Sequence, residues 1–269
     1  MDQEAEYLKK RFIDLSRRAE TKNIVTFTNF LNLNELNIFH QIRKELYSSS
    51  QTFGGYDHAE RQMVAFIPDA LSYMWEYPIH AIRFMPSHPK FAEPLTHRDV
   101  LGALMNLGIK REMLGDILVL SDSIVVFCIE SASAYLADSL SRIRNTVVRA
   151  EQIPSADFHY EPQFVEKDSV VSSFRLDTIL ADVCKLPRTA AQKIISEGNA
   201  FVNSKKIQQS DYHCQDQDIL SVRHFGKFQI ETTDAVTKKG RLRYHYKIYA
   251  GGMIDGTTKG TASGSTDRG

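Results

Sequence analysis

Cysteine is scarce in this chain: three in 269 residues, with Cys128, Cys184 and Cys214 far apart and no CxxC spacing. That excludes a disulfide framework and a cysteine-built zinc cluster, and it suits a reducing compartment. No stretch approaches the roughly twenty apolar residues needed to cross a bilayer. The opening run MDQEAEYLKKRF alternates acid and base without an apolar segment, which argues against a secretory signal, so the expected location is cytoplasmic. None of the nine histidines stands in HExxH or similar ligand spacing, and no metal and no cofactor is expected. Net charge is also absent, with 33 Lys+Arg against 33 Asp+Glu.

That neutrality conceals an asymmetry. Residues 1–171 carry 18 basic and 23 acidic side chains, a balance of −5, whereas residues 172–249 carry 13 and 8, a balance of +5. A basic C-terminal third on a mildly acidic body points to a polyanionic partner at that end. Hydrophobic content of 42% and charged content of 25% are ordinary for a globular protein. The length suits two or three domains.

The expected fold class is α+β, in three parts and a tail. Residues 1–76 form an N-terminal α/β domain: an amphipathic helix over 4–19, a β-prone piece at 24–27, and a helix from an Asn34 cap to Leu46. A turn at Gly54-Gly55 and a strand over 63–67, closed by Pro68, complete it. Residues 77–153 form a middle domain with strands at 79–85, 117–120, 124–129 and 146–149. Its helices lie over 95–104, capped by Thr96 with Asp99 three residues on, and over 131–144. The order β-α-β-β-α-β has the outline of a ferredoxin-like, RRM-like split βαβ unit. Its Val125-Val126-Phe127-Cys128-Ile129 run offers one aromatic, however, and no RNP1 pattern for stacking bases. Residues 154–171 read as a linker that ends in an extended segment. The Gly/Thr/Ser-rich residues 251–269 read as a flexible tail or an expression remnant.

Residues 172–250 carry the specific signal. Leu176, Ile179, Leu180 and Val183 share one face of a helix, and Pro187 breaks the chain. A second helix, capped by Thr189, buries Ala191, Ile194 and Ile195 and stops at Gly198. A strand at 200–202, a polar turn at 203–206, a return strand from Ile207 and a further strand at 219–222 follow. The run RLDTILADVCKLPRTAAQKIISEGNAFVNSKKI, with DQDILSVRHFGKF, resembles the S4 RNA-binding domain. Pro187-Arg188-Thr189 stands where that family often has Ser-Arg-Ser. With HRDVLGALMNLGIKREMLGDILV at 97–119, the wider chain is similar to the YlmH family of bacterial S4-domain proteins.

The resemblance implies a non-catalytic protein that binds structured RNA, rRNA and tRNA, on the ribosome. The large (50S) subunit carrying peptidyl-tRNA, in quality control of stalled chains, is the implied place, and a monomer is the expected state. The candidate RNA-binding residues are Arg175, Arg188, Lys193, Asn203, Lys205, Lys206, Arg223 and Lys227. Arg175 and Arg188 fall near two helix starts, where guanidinium forks and free amides can hold phosphate oxygens. Asp177 reads as the residue that orients an arginine. His97, Arg98, Lys110 and Arg111 form a possible second contact. His97 and Asp99 point in different directions on a helix and make no catalytic relay, and Asp116 reads as a turn residue.

Two other functions are weighed. An RNA-modifying enzyme anchored by its S4 module would need a glycine-rich methyltransferase loop, which Gly54-Gly55 is not, or a catalytic domain after the S4 unit. An S4-fold adaptor in cell division is the other.

Overall fold

The structure, a computed structural model, describes residues 3–57, 59–154, 158, 160 and 164–249. The expected tail, 251–269, lies outside the described residues. The chain divides into two compact units, residues 1–162 with 204–206 and residues 163–203 with 207–269. Both combine helices with antiparallel sheets, an α+β architecture. Residues 1–76 and 77–153, expected as two domains, fall within the first unit.

The first unit opens with α1 (Gln3–Lys22), which buries Phe12, Ser16 and Ala19, then β1 (Thr26–Phe27) and α2 (Leu33–Ile42). The cap of α2 is Asn32, not the expected Asn34. Asn32 Oδ1 accepts from the Asn34 and Glu35 amides at 2.9 and 3.1 Å, and the Glu35 carboxylate accepts the Asn32 N–H at 2.7 Å. This reciprocal box holds the helix start two residues earlier than the periodicity alone suggests. Strands β2 (Ser49–Phe53) and β3 (Met63–Ile67) complete a sheet of order β1-β3-β2. The polar sequence of β2, SSQTF, carries no strand signal of its own; its pairing with the apolar β3 makes it a strand.

Next come β4 (Ile79–Pro86), α3 (His97–Asn106), β5 (Leu114–Val119), β6 (Ile124–Ile129), α4 (Glu130–Ser139), β7 (Arg142–Ile143) and β8 (Thr146–Ile153). Their sheet has the order β5-β6-β4-β8-β7 with antiparallel neighbours. Residues 131–144 are not one helix: α4 stops at Ser139, and Arg144, at φ 52°, turns the short β7–β8 hairpin. Side chains alternate across the sheet with a period of two. Ile82, Phe84, Val126 and Cys128 meet Val100, Leu104, Ala132 and Leu136 from α3 and α4. Ile79, Ala81, Val125 and Phe127 point to the other face, into a core with Phe30, Met63, Leu118 and Phe158.

The second unit begins with β9 (Phe164–Val171). The expected linker therefore ends in a true strand, paired with β14 (Leu242–Tyr249) from Phe164↔Tyr249 to Val171↔Leu242. Between them lie α5 (Leu176–Val183), α6 (Arg188–Ser196), β10 (Ala200–Val202), β12 (Ile219–Val222) and β13 (Gly226–Val236). The two-residue β11 (Lys205–Lys206) groups with the first unit. Strands run in the order β10-β12-β13-β14-β9. The helices press Leu176, Ile179, Leu180, Ala191 and Ile195 into a core with Leu220, Phe228, Ile230, Tyr244 and Tyr246.

Pro187, not Thr189, is the N-cap of α6, and its carbonyl accepts from the Ala190 and Ala191 amides. At the far end Gly198, at φ 73°, allows its own amide and that of Asn199 to reach back to Ile195 and Ile194 at 2.9 and 3.0 Å. That is the left-handed stop glycine supplies without steric cost. The return strand expected from Ile207 comes earlier, as the two residues of β11; the Ile207 amide donates to the Ala200 carbonyl at 3.1 Å, and residues 207–211 are irregular or turn.

Candidate nucleic-acid interface

The second unit places Asp177 in the first turn of α5 with its side chain 0% exposed, beneath Arg175 at 38% and Arg188 at 53%. Arg175 donates from Nε to Oδ1 and from Nη2 to Oδ2, both at 3.2 Å. Arg188 donates from Nε to Oδ2 at 3.0 Å, with Nη2 also 3.0 Å from that oxygen. Gln192 adds a bond to Oδ2 at 2.9 Å and Thr178 one to Oδ1 at 3.3 Å. Burial alone would raise this carboxyl; the bonds from Arg175, Gln192 and Arg188, with the charge of Arg188, outweigh it and hold the group well below the usual carboxylate range. A buried anion thus fixes two solvent-facing cations, and each guanidinium keeps its Nη1 group unengaged by Asp177.

Both arginines begin helices that have no side-chain cap. The Leu176 and Asp177 amides that open α5 already donate to the Tyr212 and Ser210 carbonyls at 2.8 and 3.1 Å, so it is the start of α6 that adds partial positive charge, beside Arg188. The sequence motif pointed to Arg175, Asp177 and Arg188. Gln192 escaped it, because an uncharged amide four residues into α6 has no signal until the helix brings it over Asp177.

The other expected residues divide. Arg223 is exposed, and its amide donates to the Asn199 carbonyl at 3.0 Å. Lys193 is exposed, with Glu197 at 3.8 Å. Lys227 is half-buried, with its ammonium 4.9 Å from the centre of the Tyr249 ring. Lys205 is exposed and Lys206 half-buried. Asn203, at φ 47°, closes its turn: its amide donates to Asp218 at 2.7 Å, and its oxygen accepts the Ile219 N–H at 2.9 Å.

In the first unit, His97, Arg98 and Lys110 are exposed at or near the ends of α3. Asp99 serves the Thr96 cap, accepting the Thr96 N–H at 2.9 Å and its hydroxyl at 2.7 Å. Arg111 is turned inward: its Nη1 donates to the Leu114 and Gly115 carbonyls, both at 3.0 Å. Burial and the neighbouring Arg61 charge bring Arg111 down to about 10. Asp116, expected in a turn, lies in β5 and accepts from the Tyr56 hydroxyl at 2.8 Å and the Glu60 and Arg61 amides at 2.7 and 3.0 Å.

The sheet face around Phe127 is covered. Tyr56 stacks on the Phe127 ring at 5.0 Å, and Phe158 meets it edge-on at 5.2 Å. The packing is tight enough that a Cβ on Gly55 (φ 99°) would lie 2.4 Å from the ring. Phe127 therefore offers no open surface for a base. Of the three free cysteines Cys128 and Cys214 are buried and Cys184 half-buried, with burial pushing each thiol up to about 12. Among the described residues no cluster of His, Cys, Asp and Glu could hold a metal ion, and no helix is long and apolar enough to cross a membrane.

The fold and this cluster define an α+β protein of antiparallel sheets that presents a carboxylate-braced pair of arginines. Residues 76–157 match the family model described as "Putative RNA-binding domain in YlmH". A curated relative, "Ribosome-associated protein quality control protein P2" of Bacillus subtilis (strain 168), is 30% identical over 249 residues, 88% of this chain and 94% of the relative. The chain belongs to the YlmH family. A solved structure, "Cell division protein ylmH from Streptococcus pneumoniae", is 21% identical, covering 58% of this chain and 95% of that one. The TM-score of that match is 0.47.

Proposed function

We propose that this protein is a non-catalytic RNA-binding protein of the cytoplasm that holds structured rRNA and tRNA on the ribosome. In this reading residues 172–250 are the S4 module, residues 77–153 an RRM-like unit and residues 1–76 an N-terminal domain. The observation that carries it is the Arg175–Asp177–Arg188 arrangement. Two guanidiniums held rigid by one buried carboxylate lose little further freedom on meeting phosphate, so more of the contact energy is kept as affinity. An A-form duplex hides its bases in a deep, narrow groove, and a rigid basic surface of this kind reads shape and backbone instead.

The name of the Bacillus subtilis relative supports a role in ribosome-associated quality control, and the large subunit with peptidyl-tRNA is the site we infer for a monomeric protein. The family match over residues 76–157 supports RNA contact in the first unit as well. With Phe127 covered and Arg111 bonded inward, the expected second contact narrows to the exposed His97, Arg98 and Lys110.

Sedimentation with purified 30S, 50S and 70S particles across a salt series tests the proposal. Salt-sensitive pelleting with 50S particles, lost in Arg188→Glu, is the expected result. Failure to pellet with any particle, or pelleting indifferent to the charge reversal, overturns it.

A further inference from the structure

Two basic side chains on the exposed face of the C-terminal sheet have acidic partners. Lys247 has Glu231 at 2.5 Å and Glu166 at 3.9 Å, and His245 pairs with Asp168. The tip of the β13–β14 hairpin breaks that pattern. There Thr237, Lys238, Lys239 and Arg241, with Val170 of β9, line an open concavity of about 460 Å³. Among the described residues Lys238, Lys239 and Arg241 have no acidic partner, and Arg243 follows two residues on. The tip is not a loose loop. Thr237 N–H donates to the Arg241 carbonyl at 2.8 Å, Gly240 N–H to Thr237 at 2.9 Å, and Arg241 N–H to the Thr237 hydroxyl at 3.0 Å. Gly240, at φ 73°, makes this closure possible. Three cations within four residues of a closed turn repel one another, and the phosphates of a polyanion relieve that repulsion.

The register locates this tip relative to the arginine pair. Val171, the last residue of β9, pairs with Leu242, one residue after Arg241. Arg175 follows Val171 by four residues, a span of at most about 14 Å. Both basic groups therefore lie at the same end of the sheet. We infer that the β13–β14 hairpin tip is a second phosphate-binding site, with Lys238, Lys239 and Arg241 gripping the backbone of the same RNA that Arg175 and Arg188 hold. A phosphate backbone fits better than a single small anion, because the cations line an open surface and not an enclosed pocket. This inference rests on the RNA-binding reading above.

The test is binding of the full chain to 50S particles and to a fluorescent RNA hairpin across a salt series, beside Lys238→Gln/Lys239→Gln/Arg241→Gln and Arg188→Glu. Each phosphate contact adds roughly 0.9 to the slope of log K against log salt on a duplex. The triple variant is expected to lose about 2–3 from that slope, with unchanged thermal unfolding. A Lys238→Arg/Lys239→Arg variant is expected to keep the wild-type slope. A triple variant that matches wild type, while Arg188→Glu loses binding, overturns the second site and leaves the RNA-binding reading standing. Wild-type protein that binds neither probe overturns both.

Discussion

Asp177 shows how one buried side chain governs a surface it never reaches. Its pKa is depressed in the folded state, so its contribution to stability is complete above the ordinary carboxylate range and is lost as pH falls through the lower folded value. The sign gives a clear expectation for Asp177→Asn. Wild type should be the more stable near neutrality, by about 1.5–3 kcal/mol for the charged hydrogen bonds. That margin should narrow only once the pH drops below about 4. Thermal melts from neutral to strongly acid pH measure it; a margin that stays constant with pH would mean the carboxylate charge is not what binds the arginines. The same variant should weaken RNA binding with both arginines still present, since they would lose their brace. Gly55 illustrates the opposite constraint, where the absence of a side chain lets Phe127 approach.

At the level of elements, stability rests on caps where the sequence is informative and on pairing where it is not. Thr96→Ala removes the acceptor for the Asp99 amide and one donor to its carboxylate, and should cost about 1 kcal/mol. Chemical denaturation is the check, and Thr96→Ser, which keeps the hydroxyl, should restore most of it. This helix start was legible from Thr96 and Asp99 alone, as was β3 from five apolar residues ending at Pro68. The C-terminal helices were legible too, because Leu176, Ile179, Leu180 and Ile195 recur at helical spacing. The strands β2 and β13 were not, and β9 was legible as extended chain but not as a paired strand. SSQTF, VEKDSVV and QIETTDAV mix polar and charged residues, and these segments are extended because a partner strand satisfies their backbone groups. The cap of α2 was misread because Asn32 and Asn34 are both competent, and only the reach of Glu35 decides between them. The hairpin tip was missed for a related reason: Lys238-Lys239-Gly240-Arg241 reads as a solvated turn until β9 brings Val170 beside it.

Across the whole molecule, the covered Phe127 face separates two ways of meeting RNA. An aromatic that stacks on bases contributes about 1–3 kcal/mol per base to binding, whereas a buried one contributes to folding. Phe127→Leu keeps an apolar side chain and removes the ring. It should lower the unfolding temperature and leave the RNA affinity and its salt slope unchanged. Reduced affinity with an unchanged melt would place the ring in contact with RNA after all.

The pairing of β9 with β14 also sets an order of events during synthesis. β9 is the first strand of its unit to be made, and its partner is the last, some seventy residues later. At cellular elongation rates that gap is roughly 4–14 s. During this interval β9 lacks its partner, so both of its sides are unpaired and able to meet a passing strand, where the finished sheet leaves one. The consecutive Glu166, Lys167 and Asp168 between Val165 and Val170 are the kind of charge that discourages such pairing. A nascent chain halted before Leu242 would remain in that state, its first strand without a partner and guarded by those three charges.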